Sequence, residues 1–272
     1  MKRLIALFII FGLFACQTNS SKKKERIASN EWFFLFDGES FDEWHLYNGG
    51  KPGRAWSIED QAMKFSPENK RAGDGSANLV TNKFFTSFEL SLEWKISKSG
   101  NSGIFWGVIE TPDFSEPYYT GPEIQVLDMG SPKYDQKAEK EKEYYEAGAL
   151  YDLVRPSEQV AKPEGKWNHV VLHVNHKKNQ GYVVLNDVKI VEFPIHGDNW
   201  NKMVKGSKFK DWEYFGVSKI GKISLQDHGN TVWYRNIKIK ELQIALASAF
   251  ITATSHLIKE VIAAEVMMSY LK

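Results

Sequence analysis

Phe88-Glu89-Leu90-Ser91-Leu92-Glu93-Trp94-Lys95-Ile96 is the stretch that decides the fold. Side chains of an extended strand alternate between two faces, so Phe88, Leu90, Leu92, Trp94 and Ile96 fall on one side. Glu89, Ser91, Glu93 and Lys95 fall on the other, and no helical stripe accommodates that order. One buried and one polar face is the pattern of an antiparallel strand that covers a core. The same period recurs outward from this stretch. Val170, Leu172 and Val174 alternate with His169, Val171 and His173, and Ile223 and Leu225 alternate with Ser224, Gln226 and His228. Further strands are expected at 55–58, 62–65, 104–108, 123–127, 182–185, 189–193 and 232–240. Asn186-Asp187 and many Gly, Asn and Asp residues supply the turns between them. More than ten short strands without intervening amphipathic helices predict an all-β jelly-roll sandwich of two antiparallel sheets.

Composition narrows the function classes. The 272 residues carry 35 Lys and Arg against 34 Asp and Glu, a net charge of +1. That balance gives no basic footprint for nucleic acid. Aromatic residues make up 14% of the chain, with 9 Trp, 11 Tyr and 17 Phe. Such an excess suits both a β core and platforms for sugar rings. A single cysteine excludes an internal disulfide and a thiolate zinc cage.

The position of that cysteine is informative. Lys2 and Arg3 precede an apolar run from Leu4 to Phe14, too short to span a bilayer as a helix, which needs about 20 residues. Residues 1–15 read as a secretory signal, and Leu13-Phe14-Ala15-Cys16 resembles a lipobox that would make Cys16 the lipidated N-terminus. A plain signal peptide with an incidental cysteine is the alternative. Residues 16–31 then form a polar, Lys-rich tether, and the expected product is an exported bacterial lipoprotein of the periplasm or outer membrane. Without Lys2 and Arg3 the basic residues fall by two to 33 against 34 acidic, so attachment would come from lipid rather than charge. At the other end, residues 243–272 change character. Ile244, Ala247, Ile251, Thr254, Ile258, Val261 and Met268 stand near helical spacing, which fits an appended helix, and an altered reading frame is the equal alternative. The charged stretch 131–146 predicts a solvated loop or short exposed helix.

Seven phrases in fixed order carry a family likeness across 32–242. They are Leu35-Phe36-Asp37-Gly38, Asn101-Ser102-Gly103-Ile104, Gly121-Pro122-Glu123-Ile124-Gln125, Gly148-Ala149-Leu150-Tyr151, Gly165-Lys166-Trp167-Asn168, Leu225-Gln226-Asp227-His228-Gly229 and Tyr234-Arg235-Asn236-Ile237. With them the chain resembles the 3-keto-disaccharide hydrolase family. The resemblance implies a concanavalin-like jelly roll and action on glycosides whose C3 hydroxyl has been oxidised to a ketone.

That ketone acidifies the C2 hydrogen, so a base can form an enolate and the C1 substituent can leave by β-elimination, with or without rehydration. By strand parity, Glu93 and Lys95, Glu123 and Gln125, and Gln226 and His228 point away from the core. His228 is expected as base or acid with Glu123 as its counterpart, and Lys95 or a bound divalent cation as the electrophile. Glu93, Asn101, Gln125, Tyr151, Gln226, Asp227 and Arg235 are the expected substrate-binding set. Arg235 shares parity with Ile237 and Ile239, so reaching a polar face requires a bulge near Asn236 or a buried ion pair. Tyr118, Tyr119 and Trp233 join Tyr151 as stacking candidates. His169, His173 and His176 do not read as a zinc site, because on a strand His176 faces opposite to the other two. A lipid-anchored carbohydrate-binding module without catalysis is the alternative function, and oligomeric state is not legible.

Overall fold

The computed structural model describes residues 31–131 and 143–242. The expected signal segment, Cys16 with its tether, the terminal helix at 243–272 and most of the charged stretch 131–146 lie outside these residues.

Thirteen strands are formed among the described residues: β1 (Phe33–Phe36), β2 (Trp44–Leu46), β3 (Trp56–Glu59), β4 (Ala62–Phe65), β5 (Leu79–Thr81), β6 (Phe88–Ile96), β7 (Asn101–Val108), β8 (Glu123–Leu127), β9 (Asn168–Asn175), β10 (Gln180–Leu185), β11 (Val188–Phe193), β12 (Lys222–Leu225) and β13 (Val232–Glu241). They pair antiparallel into two sheets. The larger has the order β11-β10-β9-β6-β13-β4-β3 with β1 added alongside β13, and the smaller has the order β2-β5-β12-β7-β8. This is the expected all-β jelly-roll sandwich.

The decisive stretch is β6, and it lies in the middle of the larger sheet between β9 and β13. Phe88, Leu90, Leu92, Trp94 and Ile96 are all buried, as alternation requires. They meet Ile104, Trp106, Ile124, Val126, Ile223 and Leu225 of the smaller sheet in one continuous core. Burying one such side chain contributes roughly 1.5–3 kcal/mol, so the apolar faces hold the sheets together. A polar contact crosses this core. Tyr234 on β13 and Ser102 on β7 share a hydrogen bond of 2.8 Å, and Ser102 Oγ donates onward to the Gln226 carbonyl at 2.7 Å.

Two details differ from the sequence expectation and a third meets it. A helix, α1 (Gly197–Lys205), follows β11 and buries Trp200, with Met203 and Val204 partly buried on the same side. Nine residues are too few for a periodic signal to stand out. The strand expected to reach His228 ends at Leu225, so Gln226 and His228 stand in the loop that follows. The bulge required for Arg235 does exist: the β6–β13 register shifts between Arg235 and Lys238, and Asn236 has φ of 51°. It turns Arg235 outward while returning Ile237 and Ile239 to the core.

Candidate functional site

The site begins with the alternation of β7. Asn101, Ser102 and Gly103 point in turn outward, inward and outward. Ser102 goes into the core to hold the Gln226 carbonyl. Gly103 leaves a hollow on the outer face, and the Glu123 carboxyl from neighbouring β8 lies across it. A Cβ built on Gly103 would stand 2.0 Å from Glu123 Oε1. Only a glycine permits that approach.

Asn101 links the other polar groups. Gln125 Nε2 donates to Asn101 Oδ1 at 2.7 Å, which leaves the Asn101 amide nitrogen as donor to His228 Nε2 at 3.3 Å. In this arrangement His228 Nε2 is an acceptor, the form a base requires. The loop carrying His228 is fixed by Asp227. Its carboxylate accepts from Lys70 Nζ at 2.5 Å, from the Ala77 amide at 3.0 Å and from the Gly229 amide at 2.9 Å. Asn78 accepts from the Asp227 amide at 2.8 Å and donates to Glu116 at 2.6 Å.

These groups open into a cavity of about 190 Å³ lined by Asn101, Glu123, Gln125, Tyr151, Gln226 and His228 on the polar side. Tyr118, Phe209, Trp212 and Phe215 complete it on the aromatic side, with Lys208 at the edge. The Lys208 ammonium stands 3.9 Å from the centre of the Tyr151 ring, a cation–π contact. Glu123 is 9% exposed. Burial raises its carboxyl from 4.5 to about 8, against the opposing pull of the Lys208 charge. It is therefore protonated at neutral pH, and can donate a proton where an ordinary glutamate cannot. Burial also raises the Tyr151 hydroxyl far above its ordinary value, so that ring stays neutral. Gln226 Oε1 is buried with no hydrogen-bond partner among the described residues. A buried acceptor without a partner is costly, and a ligand hydroxyl would satisfy it.

Six of the expected site residues thus share one cavity: Asn101, Glu123, Gln125, Tyr151, Gln226 and His228. Four do not. Glu93, Lys95 and Arg235 belong to β6 and β13 of the larger sheet, and their outward face points away from the smaller one. Parity placed Glu93 and Lys95 correctly on a polar face, and the bulge at Asn236 brings Arg235 to the same face, but each sheet of a sandwich has its own outer face. On that opposite surface Arg235 donates to Glu93 at 2.5 Å and covers the Trp167 ring at 4.0 Å. The Lys95 ammonium sits between Trp167 and Trp233, at 4.9 and 4.4 Å from the ring centres. Trp233 is therefore also outside the cavity. Asp227 is adjacent in sequence to two lining residues, but its carboxylate is spent on the loop contacts above.

Sequence reasoning missed Lys208, Phe209, Trp212 and Phe215. The dense aromatic run Phe209 to Phe215 between two strands was the available signal. Among the described residues no group of three or more His, Cys, Asp or Glu side chains is arranged to hold a metal. For the divalent cation considered above, the cavity offers Glu123 and His228 as such donors. His169 and His173 have separate partners, Ser91 Oγ at 3.0 Å and Glu89 at 3.2 Å.

Comparison with known proteins places this geometry in context. Residues 31–240 match the family model described as the 3-keto-alpha-glucoside-1,2-lyase-like domain. A 3-keto-disaccharide hydrolase of Bacteroides thetaiotaomicron is 34% identical over 239 residues, covering 79% of this chain and 80% of that protein. A solved structure from Parabacteroides distasonis, described as a candidate glycosyl hydrolase, has 28% identity and a TM-score of 0.70 over 79% of this chain and 95% of that one. A second from the same organism, similarly described, has 24% identity and a TM-score of 0.60, covering 78% of this chain and 100% of that one, and shows the shared fold.

Proposed function

Since the chain belongs to the 3-keto-alpha-glucoside-1,2-lyase-like family, we propose that it cleaves glycosides carrying a ketone at C3, through the cavity between Glu123 and His228. The observation that carries this reading is the pairing of a buried, protonated carboxyl with an imidazole held as an acceptor on one small cavity. A sugar-binding module needs aromatic faces and amides, and has no use for a carboxyl desolvated to this degree.

In the proposed reaction His228 Nε2 takes the proton from C2. The electron pair moves into the C2–C3 bond and the C3 oxygen becomes an enolate, next to the ammonium of Lys208. The enolate then reforms the ketone, a C1–C2 double bond appears, and the C1–O bond breaks. Glu123 gives its proton to the departing oxygen, which leaves as an alcohol. Reversal with water completes net hydrolysis: Glu123 takes a proton from water as it adds to C1, and protonated His228 returns its proton to C2. The positive charge assigned in sequence to Lys95 passes to Lys208, which borders the cavity. Gln125, Asn101 and Gln226 are placed to hold ring hydroxyls.

Glu123→Gln and His228→Ala are expected to abolish cleavage of a methyl 3-keto-glucoside, followed by product chromatography, with the circular dichroism spectrum retained. Full activity in either variant removes that residue from the mechanism. For the chain as a whole, the lipobox-like sequence before Cys16 supports the reading of an envelope lipoprotein.

A further inference from the structure

Four large apolar side chains stand in solvent at one end of the sandwich. Trp32, Phe34, Phe84 and Ile220 are 41, 57, 54 and 55% exposed. Strand register brings them to that end. Phe33 pairs with Ile239 and Glu241 pairs with Phe88, so β1, the last residues of β13 and the first of β6 meet there. From the smaller sheet, Phe85 and Gly221 form a bridge at the same end, and the Phe33 ring lies 6.3 Å from that of Phe85. The chain also enters the fold here, at Trp32.

Lysines accompany these rings. The ammoniums of Lys238 and Lys240 stand 5.2 and 5.0 Å from the centre of the Trp32 ring, and that of Lys222 stands 5.2 Å from the centre of Phe84. Lys83 covers the Phe33 ring at 5.1 Å. Glu89, Glu110 and Glu43 pair with Lys240, Lys222 and Lys83, so positive charge alone does not define this surface. Its apolar side chains do, and grouped exposed apolar residues mark a contact surface. A tryptophan ring beside lysines, whose stems lie on apolar surface while their ammoniums reach outward, fits the border between lipid tails and phosphate headgroups.

We infer that this end of the sandwich rests on a phospholipid bilayer, with Trp32, Phe84 and Ile220 entering the headgroup layer and the lysines meeting lipid phosphates. The inference rests on the lipoprotein reading, in which Cys16 holds the chain at a membrane. Residues 16–31 precede Trp32, and sixteen residues can extend to roughly 55 Å, so the anchor alone leaves the domain free to turn. The apolar end orients the anchored chain and does not replace the anchor. Orientation matters for the cavity. Lys222 opens β12 at the apolar end, whereas Gln226 and His228 follow Leu225 at its other end. Seated in this way, the cavity opens away from lipid and toward dissolved substrates.

The test uses the sole cysteine. The mature chain, residues 16–272, is coupled through Cys16 to a maleimide phospholipid in vesicles of phosphatidylcholine and phosphatidylglycerol. Amide hydrogen exchange is then compared with that of the uncoupled chain in solution. Slower exchange at 83–86 and 217–221, with 226–229 unchanged, supports the surface. Phe84→Ser combined with Ile220→Ser should lose that protection while coupling and the circular dichroism spectrum are retained. Absence of protection, protection centred on 226–229, or protection that persists in the double variant overturns the proposal. Protection of the same segments in concentrated chain without vesicles assigns the end to a second copy, and overturns it too. Chemical coupling keeps the two readings apart. Protection on these vesicles supports the surface even if cells do not acylate Cys16, and acylation in cells with no protection here leaves the lipoprotein standing and the surface refuted.

Discussion

The Glu123 carboxyl occupies the space that any side chain at Gly103 would need, with only 2.0 Å between Glu123 Oε1 and a Cβ built there. An alanine at 103 must displace the carboxyl, and overpacking of this kind costs about 1–3 kcal/mol of stability. Gly103→Ala is expected to lower activity by roughly 10²–10⁴, the range lost with a general acid, while the protein stays folded. Steady-state rates and thermal melts check this. In the Glu123→Gln background Gly103→Ala should cost almost no further activity, and additive losses would separate the two residues.

Lys208 and Lys95 divide the two surfaces of the sandwich, and their variants should divide accordingly. Lys208→Met removes the one lysine that borders the cavity among the described residues and is expected to reduce kcat with little change in KM, because enolate charge develops only in the transition state of the proposed reaction. Lys95→Met loses its place between Trp167 and Trp233 and should change kcat/KM less than twofold, as expected for a side chain that touches no substrate. A kcat loss in Lys95→Met comparable with that of Lys208→Met would return the electrophile to the larger sheet.

Period-two alternation made β6 readable, and with it the buried face of each sheet. The same alternation named both outward sets of polar residues correctly. It carries no information on which sheet a strand joins, so Glu93 and Lys95 stood beside Glu123 and Gln125 in sequence terms while facing the opposite way in space. Pairing of β6 with β9 and β13, and of β8 with β7, is a long-range fact. Short elements were lost for a different reason. The nine residues of α1 and the loop from 206 to 217 fold against the sandwich through Trp200, Phe209 and Phe215, which is a tertiary effect. Lys208 was invisible because its importance comes from standing near a buried carboxyl, not from a pattern around it.

Asp227 acts on His228 through the loop they share. Its carboxylate accepts from Lys70 and from the amides of Ala77 and Gly229, so Asp227→Asn should loosen the turn without removing any group from the cavity. We expect kcat to fall about tenfold with a smaller change in KM, and Lys70→Met to produce part of the same loss. A large rise in KM alone would instead place Asp227 on the substrate, as its sequence neighbourhood suggested.

Cys16 supplies a prediction independent of the site. If the lipobox reading holds, the wild-type protein labels with a fatty-acid analogue in cells and partitions with membranes. Cys16→Ser should lose the label and appear in the soluble fraction, since without Lys2 and Arg3 the chain has almost no net charge to hold it at a bilayer. Labelling that survives Cys16→Ser would sink the assignment.

The raised Glu123 acid gives a pH dependence whose sign can be worked out. Its carboxyl moves from 4.5 in the unfolded chain to about 8 in the folded one. Between these values the folded protein keeps a proton that the unfolded chain has released. Stability from this group is therefore full below about pH 4.5 and is lost as pH rises to about 8, at no more than about 1.4 kcal/mol per pH unit. Denaturant unfolding across that range should show the slope in the wild type and lose it in Glu123→Gln. In the proposed reaction the same proton passes to the leaving group, so kcat is expected to fall as pH rises through about 8. Lys208 pulls the acid downward, and removing its charge should move that alkaline limb to higher pH in the residual activity of Lys208→Met. A limb that stays in place there would assign the titration to another group, even with catalysis intact.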